Sequence, residues 1–359
     1  MQALILVGGE GTRLRPLTLS TPKPLLPVAG VTIIERVLAH LASAGVDSAV
    51  LSMGYRPDAF LDAFPDGHAS GVALTYAVEP ERMDTAGAIR FASLAAGIDE
   101  RFVVVNGDVL TDLDVADLVA FHEARGAEAT IALTPVEDPS AFGVVPTDDE
   151  GRVTAFIEKP ARHEAPTNLI NAGIYVLEPS VITRIPEARA VNVEREVFPA
   201  IAAERRLYAM AFPDSYWTDT GTPRLFLDAS LDLVSGVRDC EPAPHAHDKD
   251  GVWFVGAPVV DGEVRAPAFV GDAAFIARGA VVERSVIGTG ARLAAGAVVR
   301  NSVLLPGAVV EDDALVENSI LGEGALVRPR ARVTGLSVVQ GGAVVPEAAQ
   351  LSDARVAAG

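Results

Sequence analysis

A single cysteine, Cys240, among 359 residues excludes an intrachain disulfide and a cysteine-ligated metal centre. No apolar run approaches the roughly 20 residues that a membrane span needs. The first residues, MQALILVGGEG, carry neither a basic stretch nor a long apolar one. They do not read as a secretory signal, and the expected compartment is the cytoplasm. Positive charge is scarce: the net charge is −19, which argues against nucleic acid or an anionic membrane as partner. Lysine is rarer still. Three of the 29 basic residues are Lys (Lys23, Lys159 and Lys249), leaving 26 Arg. In a chain that uses Arg almost wherever a surface cation would serve, a retained Lys suggests a compact ammonium presented to one oxygen. Lys23 stands in Pro22-Lys23-Pro24 and Lys159 in Glu158-Lys159-Pro160, both beside rigid proline.

Apolar residues are plentiful, nearly half the chain, and the mean hydropathy is +0.29, enough for a sizeable core. The length suits two domains. Up to about residue 235, strand-like and helix-like segments alternate. Ala3 to Val7, Ala49 to Met53, Phe102 to Val105 and Ala129 to Thr134 read as strands. Thr32 opens a helix whose apolar face is Ile33, Ile34, Val37, Leu38 and Leu41, stopped by Gly45. Thr85 to Ala96 and Val115 to Arg125 also read as helices. This order predicts a Rossmann-like, open, mostly parallel α/β sheet with helices on both faces. Ligands of such sheets bind beyond the C-terminal strand ends, where the loops at Gly8 and at Asn106-Gly107-Asp108 fall.

Residues 236–251, rich in Pro, Asp and Gly, read as a linker between a domain over 1–235 and another over 252–359. In the second domain the period changes. Ala274, Ala291, Ala308 and Ala325 are 17 apart, as are Ala280, Ala297, Ala314 and Ala331, and Ser285, Ser302 and Ser319. Three registers kept over several turns predict a parallel β-helix of 17-residue coils. The pattern resembles the left-handed hexapeptide-repeat β-helix. Many such domains are acyltransferases that rely on a His, but none follows His247, which disfavours that chemistry.

The main chemical signal is Leu6-Val7-Gly8-Gly9-Glu10-Gly11-Thr12-Arg13-Leu14-Arg15-Pro16. Glycines after a strand let backbone N–H groups approach phosphate oxygens. The P-loop pattern is absent, and the string also departs from the dinucleotide fingerprint, because Arg13 to Pro16 follows the glycines. With Pro22-Lys23-Pro24 ten residues beyond Arg13, the string resembles the signature of sugar-1-phosphate nucleotidyltransferases, nearest the mannose-1-phosphate guanylyltransferase branch. Phe142-Gly143-Val144-Val145, Glu158-Lys159-Pro160, Asn171-Ala172-Gly173-Ile174-Tyr175, Val193-Glu194-Arg195-Glu196 and Tyr216-Trp217-Thr218-Asp219 carry the same resemblance.

The resemblance implies transfer of a nucleoside monophosphate from an NTP, GTP first, to a sugar 1-phosphate, mannose 1-phosphate first. Pyrophosphate is released. It implies catalysis by Arg13, Lys23, Asp108 and Asp219, with Mg²⁺ on Asp108 and Asp219. It places the nucleotide on Leu6, Gly8, Gly9, Gly11, Thr12, Arg13, Thr85, Ala86, Gly87 and Asp108, and the sugar phosphate on Gly143, Glu158, Lys159, Asn171 and Gly173. A homo-oligomer is expected from the repeat coils. One residue departs from the pattern: the base-recognition segment usually reads L-G-T-A-G, but here it is Met83-Asp84-Thr85-Ala86-Gly87. Asp tolerates unusual backbone angles and can cap a helix. The departure leaves ADP-, UDP- and dTDP-glucose synthesis as alternatives. A silent regulatory paralogue is the alternative of another class.

Overall fold

The structure, a computed structural model, describes residues 1–54, 56–187, 189–238 and 240–359. The chain packs as two compact units. One joins Met1–Gly9 to Ile34–Trp217, the other Glu10–Ile33 to Thr218–Gly359. The elements before the β-helix are β1 (Gln2–Leu6), β2 (Pro27–Val28), β3 (Val31–Thr32), α1 (Ile33–Ser43), β4 (Ser48–Met53), α2 (Pro57–Ala63), β5 (His68–Ala69) and β6 (Val72–Val78). They continue with α3 (Asp84–Ala96), β7 (Phe102–Asn106), β8 (Val109–Thr111), α4 (Val115–Arg125), β9 (Ala129–Pro135), β10 (Gly143–Val144), β11 (Ile157–Glu158) and β12 (Leu169–Leu177). The last are α5 (Ser180–Arg184), α6 (Phe198–Ala203), β13 (Leu207–Ala211), β14 (Trp217–Asp219) and α7 (Pro223–Ser235).

In the first unit the sheet order is β11-β10-β12-β7-β1-β4-β6-β5, and β9 pairs with β12 and β13. The centre, β7-β1-β4-β6, is parallel, as the alternating pattern requires. β12 runs antiparallel to β7 and to β9, and its register shifts between Asn171 and Tyr175. The strands read from the sequence end at Thr134, short of this one. It lays Gly173 against Asn106 of β7 and pairs Asn171 with Leu133 of β9. α1 buries Ile33, Ile34, Val37, Leu38 and Leu41 as its spacing predicts, and Gly45 follows with φ +82°. Among the described residues, no helix is long and apolar enough to cross a membrane.

In the second unit, α7 is capped by Thr222, whose side chain accepts the Leu225 N–H, and closed by Gly236 at φ +75°. The expected linker does not stay irregular. His247–Lys249 pairs antiparallel with Val252–Phe254, so strand structure begins inside it; Asp239, in the same segment, lies outside the described residues. From Val252 onward, three parallel sheets build the left-handed β-helix. Its core is the predicted alanine columns together with Val270, Ile287, Leu304, Leu321 and Val339. The serine column is buried too. Ser302 Oγ donates to Arg300 O (2.6 Å) and accepts the N–H of Ser319 (3.1 Å), and Ser285 does the same one coil earlier. A hydroxyl can both donate and accept, which is why this buried corner keeps a Ser.

Candidate active site

The glycine turn after β1 has no room for side chains at its start. A Cβ built on Gly8 would lie 3.2 Å from the Gly54 nitrogen, whereas one on Gly9 would meet nothing. Leu6 O accepts the N–H of Gly107 (3.0 Å), and a Cβ on Gly107 would sit 2.6 Å from Val7 Cγ1. This close approach fixes the turn between β7 and β8 that carries Asp108, which is half-buried.

The basic loop belongs to the second unit. Gly11, at φ +59°, starts a short 3-10 turn (Thr12–Leu14), and Thr18 Oγ1 donates to its carbonyl. Arg13 projects outward. Lys23 is buried, 4 % exposed. Its Nζ lies 3.0 Å from Asp219 Oδ1, and Arg13 Nη2 lies 3.6 Å from Asp219 Oδ2. Three residues singled out in the sequence thus meet at one carboxylate, although 196 residues separate Lys23 from Asp219. Gly221 closes the cluster, since a Cβ there would lie 2.7 Å from Asp219 Oδ1 and 2.8 Å from Arg13 Nη2.

At the start of α3, Asp84 adopts φ +58°, the left-handed conformation for which glycine is the default. Its Oδ1 accepts from Thr85 N (2.7 Å) and from Asn192 Nδ2 (3.2 Å). Thr85 Oγ1 donates to Glu194 Oε2 (3.1 Å) and accepts the Val193 N–H (2.9 Å). The N–H groups of Ala86 and Gly87 both go to Val191 O. The helix start is therefore wired to residues 191–194, and Ala86 and Gly87 are buried there.

The same carboxylate reaches β12. Tyr175 OH is 3.4 Å from Glu194 Oε1 and accepts from Asn171 Nδ2 (2.8 Å), while Asn171 Oδ1 takes the Gly173 N–H (2.9 Å). Burial pushes the Glu194 carboxyl up and the Tyr175 phenol well up from their ordinary values. Gly173 (φ +76°) packs on Asn106, where a Cβ would stand 2.5 Å from Nδ2. Across β10 and β11, Gly143 pairs in register with Glu158, and the Phe156 ring excludes any side chain at Gly143. Lys159 (φ +48°) lies 3.2 Å from Glu158 Oε1, and Arg195 reaches the same oxygen at 4.0 Å. Trp217 Nε1 donates to Ala172 O (2.9 Å).

Sequence reasoning missed Glu194, Tyr175 and Gly221 as parts of these clusters. Glu194 stands in a segment that carried the resemblance, but only the fold shows that its carboxylate joins Thr85 to Tyr175. In the described residues no three His, Cys, Asp or Glu side chains converge as a metal cage. Mg²⁺ does not require one, since it commonly uses one or two carboxylates with substrate phosphates and water. Asp219 offers a hard oxygen donor of that kind, and it already draws two cationic groups to its oxygens.

The nucleotidyl transferase family model matches residues 2–236, and that of the GMPPB C-terminal domain matches residues 264–358. A mannose-1-phosphate guanylyltransferase of Mycobacterium tuberculosis is 43% identical over 284 residues, 79% of this chain and 76% of that protein. Mannose-1-phosphate guanylyltransferase 1 of Arabidopsis thaliana is 39% identical over 292 residues, 80% of this chain and 79% of that one. Among solved structures, a putative glucose-1-phosphate thymidylyltransferase from Bacillus anthracis superposes with a TM-score of 0.58 at 26% identity, covering 64% of this chain and 94% of that one. The buried Lys23–Asp219 pair, the glycine turn and these relatives agree: the chain belongs to the nucleotidyl transferase family.

Proposed function

We propose that this enzyme transfers GMP from GTP to mannose 1-phosphate, forming GDP-mannose and pyrophosphate. The observation that carries the reading is the convergence of Lys23 and Arg13 on Asp219, in a chain whose relatives at 39–43% identity are mannose-1-phosphate guanylyltransferases.

The attacking phosphate monoester needs no general base, because a second pKa near ~6 leaves it mostly dianionic at pH 7. The bond formed joins that phosphate oxygen to the α-phosphorus, and the bond broken releases pyrophosphate in line. Catalysis then reduces to positioning and charge neutralisation. In this reading Leu6, Gly8, Gly9, Gly11 and Thr12 approach the phosphates by their backbone, and Arg13 balances charge on the departing pyrophosphate. Lys23 holds phosphate oxygens of both substrates. Thr85, Ala86 and Gly87 border the base; since their N–H groups and the Thr85 hydroxyl are engaged within the protein, they contribute shape. Gly143, Glu158, Lys159, Asn171 and Gly173 receive the sugar phosphate, with Glu158 accepting from hydroxyls.

Mg²⁺, held by Asp108 and Asp219, would supply charge neutralisation at the phosphates. We assign catalysis to residues 1–235 and support to 252–359, in a cytoplasmic homo-oligomer. The test is pyrophosphate release with Mg²⁺, pairing each of five NTPs with mannose 1-phosphate and glucose 1-phosphate. A maximum with GTP and mannose 1-phosphate supports the reading. A maximum with another pair moves the enzyme to a sister specificity. Binding of sugar nucleotides without release overturns it.

A further inference from the structure

The basic loop, Glu10–Ile33, packs with the β-helix unit. One sheet of the helix steps through Phe269, Val286, Val303, Ile320 and Val338. Their strand neighbours Val270, Ile287, Leu304, Leu321 and Val339 fill the helix interior, so this column points outward. It is nevertheless buried, with Val286 the most exposed at 2%. α7 packs on its first two strands, and a Cβ built on Gly30 would lie 2.9 Å from Phe269 Cζ.

Farther along, one corner of the coil is informative. It is occupied by Asp272, Thr289, Pro306 and Glu323, whose carbonyls accept the N–H groups of Gly290, Gly307, Gly324 and Gly342 (2.8–2.9 Å). The next corner in the series is Gly341. The coil geometry accepts four different side chains at this corner, and Gly341 itself lies outside the left-handed φ region that favours glycine. Its neighbours differ, however. A Cβ at Gly341 would sit 3.1 Å from Glu323 O and 3.3 Å from Ser20 Oγ. Ser20 follows the 3-10 turn Leu17–Leu19 and stands three residues before Lys23.

We propose that Gly341 is a positioning residue for the reaction: its missing side chain lets this coil seat the loop that delivers Lys23. The β-helix is then part of the catalytic frame. This rests on the role assigned above to Lys23. A bulky residue at 341 pushes on Ser20, and a shift of a few tenths of an ångström at Lys23 lowers kcat without touching the sugar pocket.

The experiment compares Gly341→Val with Thr289→Val, the same corner one coil after Asp272 and away from Ser20, and with Gly341→Val/Ser20→Gly. Hydrogen exchange of residues 14–26 reads the loop whether or not any substrate turns over, and pyrophosphate release reads catalysis. Expected are faster exchange over 14–26 and a kcat about tenfold lower in Gly341→Val, at little changed KM for the sugar phosphate. Both should recover when Ser20→Gly relieves the pressure, and Thr289→Val should match the parent. Gly341→Ala, a smaller push, gives an intermediate result and covers the case in which the valine variant does not fold. Unchanged exchange in the alanine and valine variants, or no recovery with Ser20→Gly, overturns the proposal. Altered and rescued exchange in a protein that releases no pyrophosphate from any pair supports the seating and overturns the proposed function instead.

Discussion

Lys23 and Asp84 are the two positions where a single side chain says most. Lys23 is one of three lysines, and its ammonium is held against Asp219 at 3.0 Å in a buried setting. Removing it in Lys23→Ala should lower kcat by about 10²–10³, the cost of deleting one preorganised charge partner. Lys23→Arg should restore little of this, because the wider planar guanidinium must fit a side-chain site that is buried and already holds the ammonium 3.0 Å from Asp219 Oδ1. Steady-state pyrophosphate release checks both. Full activity in Lys23→Arg would refute the argument from a compact ammonium. Asp84 stands where the family pattern reads glycine, and it adopts φ +58°, a conformation open to glycine. Asp84→Gly should therefore be tolerated, whereas Asp84→Val should lose about 1–2 kcal/mol in urea unfolding, since a branched residue is disfavoured at positive φ. The scarcity of lysine and the odd Asp were both visible in the sequence. Their partners were not, because Asp219 and Asn192 lie 196 and 108 positions away.

Among the elements, α4 was legible to its ends, since Asp114 caps it and Gly126 closes it at φ +56°. β12 was not, because its antiparallel course depends on pairing with β7 and β9. α4 also buries His122 completely, with Nδ1 2.8 Å from Thr130 Oγ1 and Nε2 3.2 Å from Glu178 Oε1. Burial, aided by Arg101, holds its pKa below the usual 6.5 against the pull of Glu178 and Glu123. Below 6.5 the unfolded chain takes up the proton first, so stability falls as pH drops through that value. Urea midpoints at pH 7.5 and pH 5.5 should show the loss, and His122→Gln should shrink it. An equal loss in the variant would assign the effect elsewhere. In the β-helix, Ser302→Ala strands the Ser319 N–H inside a buried corner, while the Arg300 carbonyl keeps the Asn318 N–H. The expected cost is about 1–3 kcal/mol, read by chemical unfolding. A neutral result would mean that the ladder is not a source of stability.

At the scale of the molecule, the 17-residue period announced the β-helix because each coil must repeat to bury its neighbours. The place of the basic loop was hidden. Glu10–Ile33 sits among residues that read as sheet domain, yet it packs with Thr218–Gly359. No local pattern records such a partnership, since it depends on which surface the completed β-helix offers. The chain crosses between units after Gly9, after Ile33 and after Trp217. On a ribosome, the segment bearing Lys23 emerges 196 residues ahead of the aspartate it will pair with. At a synthesis rate of ~5–20 residues per second, that is a wait of roughly 10–40 s. The β-helix that seats the loop emerges later still. The nascent protein can therefore pair the strands of its sheet before the Lys23–Asp219 contact can form, and the packing of the loop waits for the coils that follow.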